Sequence, residues 1–226
     1  MKLSGTMVGV SAEYLNNGGV GRIKGSIPVQ LRARLNYMQG KLDYKGGIVN
    51  FGTGEVTPYK YSGSKTDNKN YFFDTALLGG LEFKMGGNFY ASPYIGFGYR
   101  YLEDKKSKDP FDYKREQAYY YLPVGADWKN PLASGWGLAF NTEVDILLSG
   151  RNTTHDVSDS GKLKFRQKSG YGWRLGAKVE KNLHSVDVFA EPFFRYWNIS
   201  RSDIVHGFVE PKNRTEEYGL RIGVSF

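Results

Sequence analysis

Over residues 218–226 the chain alternates without a break. Tyr218, Leu220, Ile222, Val224 and Phe226 hold one parity; Gly219, Arg221, Gly223 and Ser225, continuing from Glu217, hold the other. Successive side chains of a strand point to opposite faces, so this stretch is a strand with one apolar face and one polar or empty face. The same period returns at 6–14, 29–37, 73–83, 89–101, 118–128, 138–148, 171–179 and 186–196. Helical periodicity is nearly absent, and the fold class this predicts is all-β.

What separates these segments is as regular as the segments. Short turns at 85–88, 130–135 and 182–185 alternate with long polar stretches at 103–116, 149–169 and 198–213; an earlier turn is expected at 16–19 and a further polar stretch over 45–70. Tight turns at one end and long loops at the other describe an antiparallel up-and-down barrel. The strands exceed the ~5–6 residues usual in soluble sheets and cover the ~9–11 that a tilted strand needs to cross a bilayer. No run approaches the ~18 apolar residues of a membrane-spanning helix. Met1-Lys2-Leu3 leads straight into alternation, so an exported protein would carry this numbering after its signal.

The charged strand residues decide which face could meet lipid. Arg32, Arg34, Arg100, Arg115, Arg174, Lys178, Arg195 and Arg221 are basic; Glu13, Asp74, Glu82, Asp127, Glu143, Asp145, Glu180, Asp187, Glu191 and Glu217 are acidic. All sit on the parity opposite the apolar one. A basic residue facing hydrocarbon costs about 2–4 kcal/mol near the midplane, so in a membrane barrel this parity must face inward. A soluble calyx would invert the assignment. The membrane version is favoured by the terminal Phe226, by strand length, and by aromatics near strand ends (Phe83, Phe89, Tyr101, Trp128, Trp136) where interfacial girdles belong.

Inside a narrow barrel these opposite charges would pair. Arg32 and Arg34 are expected to meet Glu13 or Asp74, and Arg195 and Arg221 to meet Glu191 and Glu217. A closed ionic plug is the favoured reading, because about eight strands enclose only enough space for side chains; a narrow charge-lined pore for ions or small solutes is the alternative. Nine segments are visible, whereas single-chain bacterial barrels have even numbers. A ten-strand parent is favoured within a range of eight to ten. The tenth is either a strand at 41–51 after a turn at 36–40, or one preceding Met1. Pro93, Pro123 and Pro192 fall inside strands, where each removes a ladder donor.

Composition narrows the chemistry. Cysteine is absent, which excludes disulfides, thiol nucleophiles and Cys-based metal sites. The formal charge is +8, yet the strand charges nearly cancel and form no basic stripe, which argues against a nucleic-acid partner. His155 and His206 lie in loops and His184 in a short turn; a rim hydrolase could be built only if His155, Asp156, Ser158 and Asp203 converged. No cofactor or metal is expected. Lys60, Lys65, Lys69, Lys105, Lys106, Lys108 and Lys114 could pair with lipopolysaccharide phosphates, although Glu103, Asp104, Asp109 and Asp112 are interleaved with them.

The blocks Gly98-Tyr99-Arg100-Tyr101-Leu102, Ser169-Gly170-Tyr171-Gly172 and Glu191-Pro192-Phe193-Phe194-Arg195-Tyr196-Trp197, with the closing strand ending at Phe226, resemble small bacterial outer-membrane β-barrels. In general character they are similar to the outer-membrane protein A and X group. That resemblance implies one barrel domain over 1–226 in the bacterial outer membrane, surrounded by outer-membrane lipid and lipopolysaccharide. It also implies insertion by the outer-membrane assembly machinery through Tyr218, Leu220, Ile222, Val224 and Phe226. Such barrels serve as anchors, adhesins, narrow pores and lipid enzymes. The expectation for this chain is a non-enzymatic structural or surface-interaction role carried by its loops.

Overall fold

The computed structural model describes residues 2–23, 27–49, 56–61, 70–106, 113–155, 161–205 and 208–226. In chain order the strands are β1 (Lys2–Ser4), β2 (Met7–Ile23), β3 (Ile27–Gly40), β4 (Asp43–Val49), β5 (Val56–Tyr61), β6 (Asn70–Leu81), β7 (Phe83–Gly86), β8 (Phe89–Lys106), β9 (Tyr113–Pro131), β10 (Trp136–Thr154), β11 (Leu163–Gln167), β12 (Gly170–Asn182), β13 (Asp187–Ile199) and β14 (Asn213–Ser225). One antiparallel sheet runs β14-β13-β12-β10-β9-β8-β6-β3-β2, with β11 extending the ladder on β10 and β7 that on β8. All nine alternating segments of the sequence are members of this path.

The sheet curls on itself. Arg34 on β3 reaches Glu143 on β10, Asp74 on β6 reaches Arg174 on β12, and Arg100 on β8 reaches Glu217 on β14. Those partners are four or five strands apart in the sheet, so the contacts cross the concave side of the curl, which is the lumenal face. The apolar parity points out: Leu77, Phe97, Phe140, Trp173, Leu175 and Ile222 are exposed on the outer wall, while Asp74, Arg100, Asp145 and Arg174 are buried. Such an outside is stable only in hydrocarbon, and the inverted calyx does not occur.

Aromatics border the outer wall at both ends. Phe89 stacks on Trp128 toward the turns, with ring centroids 6.0 Å apart. Toward the loops Tyr99 lies against Tyr120 at 5.1 Å and Tyr171 against Tyr196 at 6.2 Å.

Three sequence expectations are corrected. No turn falls at 36–40, because β3 pairs with β2 and β6 as far as Gly40. The segment at 41–51 supplies β4, but β4 pairs with β1 and β5 in a separate three-stranded sheet and adds nothing to the wall. The turn expected at 16–19 is instead an irregularity within β2, where the register slips between Asn17 and Arg22. With nine antiparallel members in the path, the outermost two, β2 and β14, run in the same direction from loop end to turn end.

The three strand prolines sit where the ladder is interrupted. Pro93 lies opposite the gap between β6 and β7 at Glu82. Pro123 pairs with Asp145 on β10 but faces the break in the β8–β9 ladder between Ile95 and Gly98. Pro192 keeps Leu220 on β14 and faces the break in β12–β13 between Gly176 and Val179. Each missing donor therefore points at a stretch of partner strand that makes no ladder bond, which is where a proline costs least.

Glycine and aromatic side chains lock the lumenal face across neighbouring strands. Gly98 pairs with Tyr121, Gly172 with Trp197, Gly219 with Phe193 and Gly223 with Phe189. In each pair the ring lies over the glycine, so that an added Cβ on Gly98 would stand 2.1 Å from Cζ of Tyr121. Large rings fit the small lumen only where the opposite residue has no side chain, an arrangement also used to stabilise glycine in sheets. Gly98→Ala is expected to displace Tyr121 and lower stability by about 1–3 kcal/mol. Urea unfolding of refolded protein in detergent checks this, and Gly98→Ala combined with Tyr121→Ala should cost less than the sum of the two single changes.

Candidate functional site

The lumenal polar residues form several hydrogen-bonded groups, the largest of them centred on Arg174. Its guanidinium donates two bonds to Asp74, Nη1 to Oδ1 at 2.9 Å and Nη2 to Oδ2 at 2.8 Å, and its Nε donates to Asp145 Oδ2 at 2.6 Å. Glu143 Oε1 lies 3.0 Å from the same Nε. Tyr121 accepts from Arg174 Nη2 at 2.9 Å and donates to Asp74 at 3.2 Å. Glu143 is also gripped by Arg34 through two parallel bonds of 2.8 and 2.9 Å, and accepts from the Tyr94 hydroxyl at 2.8 Å. Forked guanidinium–carboxylate contacts of this kind are among the strongest polar contacts a protein makes.

From this centre the network spreads toward the turns. Asn141 donates to Tyr94 and to Asp127, each at 2.7 Å, and Asp127 is bonded by Arg32. Arg32 Nε also lies 3.5 Å from Glu13. In a separate group Glu217 accepts from Arg100 at 2.6 Å and lies 3.6 Å from Arg195, which bonds Asn36 at 3.2 Å. Arg221 donates to Glu191 at 2.5 Å. Lys178 pairs with Glu180 at 2.7 Å.

Not every expected member joins the core of this network. Arg34 meets Glu143 rather than Glu13 or Asp74, because the curl sets β3 opposite β10. Glu82 accepts from Asn17 and Gln30 at the turn end, and Asp187 accepts from Asn182 beside the 183–186 turn.

The parity of charged residues also missed the uncharged half of the filling. Phe72, Tyr119, Tyr121, Leu147, Trp197 and Ile199 are buried. Arg100 stacks on Phe72 and Trp197, 4.6 and 5.4 Å from the ring centres. Tyr119, Tyr121 and Trp197 share the parity of the strand charges, and that was the available signal.

At the loop end residues 200–205 and 208–212 lie over the mouth. Ser200 and Asp203 donate their amides to the carbonyls of Ser169 and Arg166, and Gln167 donates to the Ser200 carbonyl. Within the segment, Ser202 and Glu210 bond one another through the Ser202 amide and the Ser202 hydroxyl. The Glu210 carboxylate is buried 3.6 Å from Arg115, which also lies 3.5 Å from Asp104.

The histidines do not assemble the imagined rim site among the described residues. His155 contacts Glu116 at 3.2 Å while Asp203 pairs with Lys168 at 2.6 Å. His184 sits at a positive φ in its turn. Asp156, Ser158 and His206 lie outside the described residues. So do Lys65, Lys69 and Lys108 of the basic loops, and Lys114 is held by Glu103 and Glu116. Among the described residues no cluster of three His, Asp or Glu could hold a metal ion.

A charged, filled lumen inside an apolar wall with aromatic borders defines an integral β-barrel of the bacterial outer membrane. Residues 81–226 match the family model for outer membrane protein OpcA, and the chain belongs to that family. No curated protein matches the chain.

Two outcomes follow for this site. Removing Arg174 leaves Asp74 and Asp145 buried without their cation, so Arg174→Leu is expected to cost about 3–5 kcal/mol, read as a lower urea midpoint. Burial holds the Glu210 carboxyl above its ordinary pKa, although the Arg115 guanidinium opposes this. A raised carboxyl contributes stability that is complete below the ordinary value of about 4.3 and is lost as pH climbs through the raised one. Exchange of the Glu210 amide, corrected for intrinsic rate, should therefore speed up from acidic toward neutral pH, and Glu210→Gln should remove that dependence.

Proposed function

We propose that the protein is a non-enzymatic barrel whose solid lumen makes a rigid stem and whose external loops are its working surface. One observation carries this reading: Tyr121, Asp74 and Asp145, at the middle of the lumen, have no solvent exposure. The network around them joins strands on opposite sides of the barrel. A solute would have to break several forked ion pairs in a medium where an unpaired charge is costly. Toward the turns the lumenal side chains Glu13, Lys178 and Arg221 are partly exposed; in this reading they border a vestibule.

The loop end supports the same view. Residues 200–205 are tied to Arg166 of β11 and to Ser169 by backbone bonds, presenting a shaped surface. The closing strand, apolar at Tyr218, Leu220, Ile222, Val224 and Phe226, serves recognition by the outer-membrane assembly machinery. Likeness to the outer-membrane protein A and X group is then one of design, a small barrel packed with its own side chains.

Purified protein in planar bilayers is expected to give no steady current, and unitary conductance steps would overturn the stem reading in favour of the pore. Bacteria displaying the barrel, and bacteria displaying a form with 200–212 shortened to a Gly-Ser turn, should differ in attachment to cultured cells or in autoaggregation. Identical behaviour of both, and of cells lacking the barrel, would remove the loops from the function.

A further inference from the structure

On the outer wall β10 departs from strict alternation by one residue. Its register slips between Leu147 and Ser149. Leu148 is exposed there, and beyond it Arg151 faces outward while its neighbour Asn152 is buried. Directly across the ladder from Arg151 stands Arg166 of β11, and the next outward residue of β11, Lys164, lies opposite Thr153. All three basic side chains are exposed.

Like charges directly opposite one another destabilise a strand pair. The chain resolves the corresponding acidic clash itself: Glu103 and Glu116 face each other on β8 and β9, and Lys114 bridges them at 3.1 and 2.7 Å. Nothing equivalent serves the arginines. Among the described residues no carboxylate pairs with Arg151, Lys164 or Arg166. Glu116, the outward acid on the adjoining ladder, is held by Lys114 and His155, and Asp203 beside Arg166 is held by Lys168.

Position supplies the second observation. Through the ladders Arg151 is level with Ala118 and Tyr101, one step toward the loops from Tyr99 and Tyr120. Outward tyrosines mark the boundary between hydrocarbon and headgroups. One or two residues further, at roughly 3.3 Å per residue, is the depth of lipid phosphates. The loops emerge on the cell exterior, where the anionic lipid of that leaflet is lipopolysaccharide.

We propose that Arg151 and Arg166, flanked by Lys164, form a site on the outer wall for a phosphate of the lipid A headgroup. The two guanidiniums supply fork donors on either side of one anion, and the anion removes the repulsion that the chain leaves uncompensated. The site lies outside the lumen and does not depend on whether the barrel conducts.

Thermal unfolding of refolded protein in zwitterionic detergent tests it. Lipid A carrying both phosphates should raise the unfolding temperature, and lipid A stripped of them should not. In Arg151→Gln/Arg166→Gln the apparent affinity should fall roughly thirtyfold. Lys84→Gln/Lys181→Gln, the same change of charge at the turn end, should leave it unaltered.

Without lipid A the arginine double variant should unfold at or above the wild-type temperature, since it has lost only a repulsion. Unchanged lipid A binding in that variant overturns the proposal. So does an equal response to phosphatidylglycerol, or a double variant that folds less stably than wild type in the absence of lipid.

Discussion

Lipid against the wall decides everything inside it. Once Leu77, Phe97, Leu175 and Ile222 point into hydrocarbon, the other parity of every strand is confined to a space a few side chains wide. Arginines and carboxylates placed there have no bulk water to solvate them, so each needs a partner of opposite sign within hydrogen-bond reach. Arg174 is the clearest case: Asp74, Asp145, Glu143 and Tyr121 surround one guanidinium. Because these partners come from β6, β9 and β10 while Arg174 stands on β12, the requirement for charge pairing also fixes how the sheet curls.

The strands and their facing were legible in the sequence because hydrocarbon imposes a strict period of two. Partner identity was not. Arg34 and Glu143 are separated by 109 positions, and nothing local to either says that β3 will lie opposite β10. Parity also fails wherever a residue is inserted, as at Leu148, beyond which Arg151 turns outward although Glu143 and Asp145, of the same parity, turn in. The strand expected at 41–51 exists as β4, yet it joins a small sheet with β1 and β5, since a strand signal names no neighbour. The prolines made sense only once the gaps in the ladders were visible.

The aromatic filling follows from the same confinement by another route. Tyr121, Trp197, Phe193 and Phe189 are too large to stand beside ordinary side chains in this lumen, and each lies over a glycine on the adjacent strand. Glycine, usually a weakness in a strand, here creates the recess that lets a ring lie flat. Arginines then stack on some of those rings, Arg100 on Trp197 and Arg195 on Phe193. Charge and aromatic packing thus interlock in one solid core.

A rod filled in this way behaves differently under load from a hollow tube. Tension applied to a loop passes into strands that are tied sideways by their ladders and braced across the diameter by the Arg34–Glu143 and Arg174–Asp74 forks. The wall cannot ovalise without separating opposite charges in a dry medium, so traction from outside is shared over the whole cross-section instead of peeling one hairpin from its neighbours.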